Sequence, residues 1–151
     1  MRRIFTQKPT SQSYSISPDY KVMSGPPIGN YSIRLASDDK AWIGIDDGGP
    51  PVWTVKRSED GKYALEYLRA GNNVYIIPDE YNVVGSIVPS SYPWIISGPD
   101  GGPYTIETSG LRPHQAWTVK DTSPEAFVTL EYLEKPLPEQ QFCFVPWPGP
   151  E

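Results

Sequence analysis

The 151-residue chain holds one cysteine, Cys143, and one histidine, His114. A single cysteine excludes an internal disulfide framework. One His and one Cys cannot furnish a tetrahedral zinc site, so no metal or other cofactor is expected. Basic clusters are scarce as well: the only basic pairs are Arg2-Arg3 and Lys56-Arg57, in a chain of net charge −5. A nucleic-acid partner needs a basic face, because phosphate neutralisation supplies most of the affinity, and none is expected here. No apolar run approaches the roughly 20 residues that cross a bilayer, so no membrane partner is expected. The opening Met-Arg-Arg-Ile-Phe-Thr-Gln lacks the apolar stretch of a signal peptide, and the expected compartment is the cytoplasm, with non-classical release as the other route.

Long helical patterns are missing too. The chain has 18 Pro and 13 Gly, and no 15-residue stretch keeps an i, i+3, i+4, i+7 apolar spacing. Short strands with many turns follow. Aromatics reach 13% and hydrophobic residues 38%, enough to build one core at this length.

An internal repeat organises what is present. Gly-x-Tyr-x-aliphatic occurs at Gly29-Asn-Tyr31-Ser-Ile33, Gly61-Lys-Tyr63-Ala-Leu65 and Gly102-Pro-Tyr104-Thr-Ile106. A second aromatic-led segment follows each time, at Trp42-Ile43, Tyr75-Ile76 and Trp117-Thr118-Val119. Each copy closes on an aromatic-x-apolar pair: Trp53-Thr-Val55, Trp94-Ile-Ile96 and Phe142-Cys-Phe144. Trp53 to Tyr63 and Trp94 to Tyr104 are both ten positions apart, across Asp-Gly turns of the kind that join hairpins. Tyr31-Ser-Ile-Arg-Leu35 alternates apolar and polar with the period of a strand. A further strand is expected at 83–88 and at 127–132. In the first copy it is absent or very short, replaced by Asp46-Asp47-Gly48-Gly49-Pro50-Pro51.

Three units that cannot bury their faces alone predict an all-β fold, a β-trefoil of three pseudo-repeated four-strand units with the first shortened. The units span about 29–58, 61–97 and 102–147, within one domain at 29–147. Residues 1–28 form a peripheral or poorly structured arm, with Tyr14-Ser15-Ile16 a possible edge strand, and 148–151 is a tail.

Chemistry is sparse. His114 sits in Arg112-Pro-His-Gln115, which reads as a loop, and Cys143 lies between two Phe residues of the last strand, where it should act as a small apolar group. No nucleophile–base pair is indicated, and no enzyme activity is expected. Asp38-Asp39 and Asp46-Asp47 fall in connections, where Asp serves turn chemistry. Neither Gly48-Gly49 nor Gly101-Gly102 leads into a phosphate-loop pattern. Gln115-Ala-Trp117 matches the Gln-x-Trp of ricin-type sugar-binding trefoils. The closing segments Pro51-Val-Trp53 and Tyr92-Pro-Trp94 lack the Gln, so the aromatics read as core rather than sugar platforms.

Trp53-Thr-Val-Lys-Arg-Ser-Glu-Asp-Gly-Lys-Tyr63, Ala116-Trp-Thr-Val119, and the stretch from Phe127 through Glu139-Gln-Gln-Phe-Cys-Phe-Val-Pro146 carry a likeness. Over residues 29–147 the chain resembles the small fungal β-trefoil protease inhibitors of the cospin and cnispin type, with the mycocypins as more distant relatives. That resemblance implies a protein that blocks peptidases by holding out a surface loop. The partner is then a trypsin-like serine peptidase, or an asparagine-specific or papain-like cysteine peptidase. A trypsin-like pocket carries a buried Asp and needs Arg or Lys. The loop corresponding to the cospin-type site, 46–51, has no basic residue. The second-copy loop Leu68–Asn73 offers Arg69 followed by Ala70, while Asn72 and Asn73 suit an asparagine-specific enzyme. The loop near the C-terminus offers Lys135 before Pro136. The alternative reading is a carbohydrate-binding trefoil lectin with a glycan partner.

Overall fold

A computed structural model describes residues 25–44, 52–59, 61–69, 72–110, 114–120, 128–133 and 137–147. The expected edge strand at 14–16 and the connection at 46–51 lie outside these residues. Among the described residues the protein is all-β, a curled antiparallel sheet with one short 3-10 turn at Pro138–Gln140. No helix among them is long and apolar enough to cross a membrane.

The first copy supplies β1 (Gly29–Leu35), β2 (Trp42–Ile43) and β3 (Val52–Arg57). The second supplies β4 (Tyr63–Arg69), β5 (Asn72–Asp79), β6 (Asn82–Ser86) and β7 (Ile95–Ser97). The third supplies β8 (Thr105–Glu107), β9 (Gln115–Thr118), β10 (Thr129–Tyr132) and β11 (Phe142–Pro146). The expected strand at 83–88 is shorter at its far end: β6 stops at Ser86, and Ile87 and Val88 lie beyond the ladder.

The repeat reappears as register. Each Gly-x-Tyr tyrosine faces its own copy's closing aromatic: Tyr31↔Trp53, Tyr63↔Trp94 and Tyr104↔Phe142. Tyr63 and Trp94 exchange backbone hydrogen bonds at 2.9 and 2.7 Å, and Tyr104 and Phe142 exchange two at 2.8 Å. Between copies, β3 pairs β4 with Arg57↔Tyr63, β7 pairs β8 with Ser97↔Thr105, and β11 pairs β1 with Tyr31↔Pro146. The aliphatic positions of the motif, Ile33, Leu65 and Ile106, are all buried, as are Trp53 and Trp94 with their followers Val55 and Ile96.

The second-strand alignment needs one correction. Arg34↔Trp42, Glu66↔Tyr75 and Glu107↔Ala116 are the equivalent pairs, each three residues after the motif tyrosine. Trp117 therefore matches Ile43 and Ile76, not Trp42 and Tyr75. It fills the centre of the core, tilted against Trp53 at 5.6 Å and edge-on to Trp94 and Phe142 at 5.7 and 6.0 Å. The end of the arm, 25–28, also joins the fold. Gly25 lies so close to the Tyr63 ring that a Cβ there would collide with it, Pro26 is buried, and Pro27 accepts a hydrogen bond from the Tyr31 hydroxyl at 2.6 Å.

Candidate functional site

The hairpin of β4 and β5 holds the second-copy candidate loop. The ladder continues through Leu68↔Asn73 to Arg69↔Asn72, so Arg69 and Asn72 are strand residues facing one another. Ala70 and Gly71, between them, lie outside the described residues. Asn73 is exposed, yet its amide donates to Glu66 Oε1 at 2.7 Å. Glu66 is the one buried carboxylate among the described residues, and Lys56 Nζ reaches its other oxygen at 2.9 Å. A buried charge needs such partners, and Asn73 and Lys56 between them satisfy both oxygens. Lys135 and Pro136 lie outside the described residues.

A different segment stands out from the surface on the same side. The β5–β6 ladder ends at Tyr75↔Ser86, and because β6 runs antiparallel to β5, Ile87 and Val88 continue toward the β4–β5 turn. Their exposures are 85% and 66%. Apolar side chains so exposed in sequence are uncommon beside a core this well filled. The segment from 87 to 93 is tied down at several points. Val88 N donates to Ser86 Oγ at 3.1 Å, and Tyr92 N to Ser90 Oγ at 3.2 Å. Ser58 Oγ, from the turn after β3, donates to the Ser91 carbonyl at 2.7 Å. Tyr92 packs edge-on against Trp94 at 4.9 Å, and its hydroxyl both donates to the Ser109 carbonyl and accepts from Ser109 N. Beside its base, Arg57, Ser58 and Glu59 face Ser90–Pro93 across an open groove of about 560 Å3.

The sequence places 87 and 88 in a strand, yet the same stretch carries a signal against one. Strand alternation breaks at Ser86-Ile87-Val88, and Pro89-Ser90-Ser91 follows. From Tyr81 to Pro99 no residue is charged.

The remaining candidates settle into structural surroundings. Trp117, the Trp of Gln-x-Trp, is fully buried, so that position is core. Asp38 caps its own turn, its carboxylate accepting from Lys40 N at 3.0 Å. His114 lies 3.5 Å from Glu107, whose other oxygen accepts from Thr105 Oγ1. Cys143 is half-buried in β11 opposite Arg34. Gln140, buried, donates to Thr118 Oγ1 and accepts from Leu137 N, which fixes the approach to β11. No protein family, curated protein sequence or solved structure matches the chain.

Proposed function

We propose that the chain is a β-trefoil that works by binding rather than catalysis, as a protein inhibitor of peptidases of the kind its sequence resembles. The observation that carries the reading is the threefold register, Tyr31↔Trp53, Tyr63↔Trp94 and Tyr104↔Phe142, around one aromatic core. Such a frame is rigid while its connections point outward, so a loop is held ready and loses little conformational freedom on docking. Protease–inhibitor pairs become tight on ordinary interface areas for that reason.

Under this reading Arg69, the last residue of β4, is the residue for a trypsin-like pocket, with Asn72 and Asn73 the residues for an asparagine-specific enzyme and the Lys135 loop the other basic candidate. The test is inhibition of trypsin by the parent, Arg69→Ala and Lys135→Ala, with a legumain-type peptidase against Asn72→Ala and Asn73→Ala. Loss of trypsin inhibition in Arg69→Ala alone supports the turn, and loss in Lys135→Ala alone moves the site to the C-terminal loop. Because Asn73 also holds Glu66, its variant needs a stability measurement beside the assay. No inhibition by the parent across serine and cysteine peptidases ends the proposal.

Carbohydrate binding is the second reading. It is favoured by Trp42, an indole 45% exposed at a position where the other copies carry Tyr75 and Ala116. A glycan array with the parent and Trp42→Ala separates the two readings: a glycan signal lost in the variant supports the lectin.

A further inference from the structure

We infer that the primary contact with a peptidase is Ile87, on the tethered 86–91 segment, and that the partner is a serine peptidase with an uncharged, aliphatic primary pocket. The inference rests on the inhibitor reading but names a different loop and a different pocket specificity from the Arg69 proposal.

Four observations converge on it. Ile87 is the most exposed large apolar side chain described, at 85%, with Val88 next to it at 66%. The branched side chains stand on a backbone fixed on either side. Ser86 Oγ accepts from Val88 N just past Ile87, and Ser58 clamps the Ser91 carbonyl. Tyr92, wedged on Trp94 and bonded twice to Ser109, anchors the far end. A segment pinned in this way pays little ordering cost when a partner closes on it.

The second consideration is backbone availability. Inserting into a peptidase cleft requires main-chain groups free to pair with the enzyme. Arg69 and Asn72 already pair with one another in the β4–β5 ladder, whereas Ile87 lies past the end of its own ladder and the Val88 N–H is turned only to the Ser86 hydroxyl. The third is charge. The run from Tyr81 to Pro99 has no Asp, Glu, Lys, Arg or His, so nothing in the segment matches the buried carboxylate of a trypsin-like pocket. An aliphatic side chain entering a small apolar pocket matches an elastase-like enzyme instead. The fourth is shape. Two side chains projecting from a narrow loop fit a pocket better than a flat surface, and Pro89 two residues after Ile87 stiffens the segment on its far side.

The experiment assays the full chain against elastase and trypsin, with Ile87→Asp, Ile87→Arg and Arg69→Ala. Near-ultraviolet circular dichroism confirms that each variant keeps its aromatic core. The expected result is elastase inhibition by the parent, weakened by roughly 100-fold or more in Ile87→Asp, because a carboxylate would be buried without a partner. Arg69→Ala should leave elastase inhibition unchanged, and Ile87→Arg should lose elastase and gain trypsin inhibition. If Ile87→Asp inhibits elastase as well as the parent does, or if the parent inhibits only trypsin and does so through Arg69, this inference is overturned while the inhibitor reading stands. If the parent inhibits neither these enzymes nor any other peptidase of the panel, both fall.

Discussion

Gly29, Gly61 and Gly102 stand two residues before the motif tyrosines with φ of +153°, +71° and +85°. Side-chain-bearing residues rarely take those values, which is why the repeat begins with glycine each time. The backbone demand can be separated from the packing demand. A Cβ on Gly61 would meet nothing within 4 Å, so Gly61→Ala should cost only the strain of its left-handed conformation, about 1 kcal/mol. A Cβ on Gly98 would run into the Pro103 carbonyl and lie 3.1 Å from Tyr104 Cα, where backbone rather than a flexible side chain must yield. Gly98→Ala should therefore cost about 3 kcal/mol. Urea denaturation of the two variants checks the order, and equal losses would contradict it. At Glu66 the neighbourhood works through charge. Asn73→Ala strips one of two partners from a buried carboxylate and should destabilise by about 1–3 kcal/mol. Glu66→Gln made together with Asn73→Ala should recover part of that loss in the same denaturation assay, since a neutral amide tolerates the missing partner better.

Within the closing strands, the copies divide their core volume differently. In the first two, a tryptophan begins the closing segment and donates its indole N–H to the second-strand carbonyl of its own copy. Trp53 reaches Ile43 at 2.8 Å, and Trp94 reaches Ile76 at 3.0 Å. In the third copy the closing aromatic is Phe142 and the second-strand residue is Trp117, whose buried indole nitrogen has no hydrogen-bond partner among the described residues. The large and small positions have exchanged places. Restoring the arrangement of the other copies requires both changes, Trp117→Ile with Phe142→Trp. Each alone should destabilise, the first by a cavity at the centre, about 3 kcal/mol, and the second by overpacking, about 1–3 kcal/mol. The double variant should cost at least 1 kcal/mol less than their sum, since the new indole fills the space and regains a carbonyl acceptor. Additive losses in thermal or urea unfolding would show that the copies are not interchangeable at this level. The same exchange explains what could be read in the sequence and what could not. Tyr31, Tyr63 and Tyr104 with Trp53, Trp94 and Phe142 were legible because spacing and residue type recur together. Trp117 misled, since an aromatic one position late looks like the match for Trp42 and Tyr75. Only the pairing Glu107↔Ala116 reveals the offset. Ile87 and Val88 look like strand in the sequence because β-branched residues favour strands; what removes them from the ladder is the chain's need to turn back toward Trp94.

Across the whole molecule, the three motif tyrosines come from different copies yet lie close enough to interact. Phe144 sits edge-on between Tyr31 and Tyr104, at 5.6 and 5.5 Å. Burial raises the Tyr31 phenol above its ordinary value, and the nearby Tyr104 and Tyr63 add to the rise. Tyr104 is raised chiefly by burial, with a backbone hydrogen bond from Gly101 opposing, and Asp100 and Tyr63 adding smaller increments. The consequence for stability has a definite sign. Below about pH 10 both phenols are neutral whether the chain is folded or unfolded, and they create no pH dependence. Above it, the unfolded chain releases those protons more readily than the folded one, so stability falls as pH rises. The urea midpoint should stay level up to about pH 9.5 and then decline through pH 11. Lysine side chains in general ionise in the same range, so the informative quantity is the difference between parent and variants. Tyr31→Phe should lower stability at neutral pH by about 1 kcal/mol, through loss of the hydroxyl bond to the Pro27 carbonyl. Its alkaline slope should nonetheless be shallower than the parent's, and the Tyr31→Phe, Tyr104→Phe pair shallower still. Because the phenols join strands from opposite ends of the sequence, the effect should appear in global unfolding, followed by tryptophan fluorescence, rather than as local fraying. An unchanged alkaline slope in the double variant would mean that these tyrosines do not link the copies electrostatically.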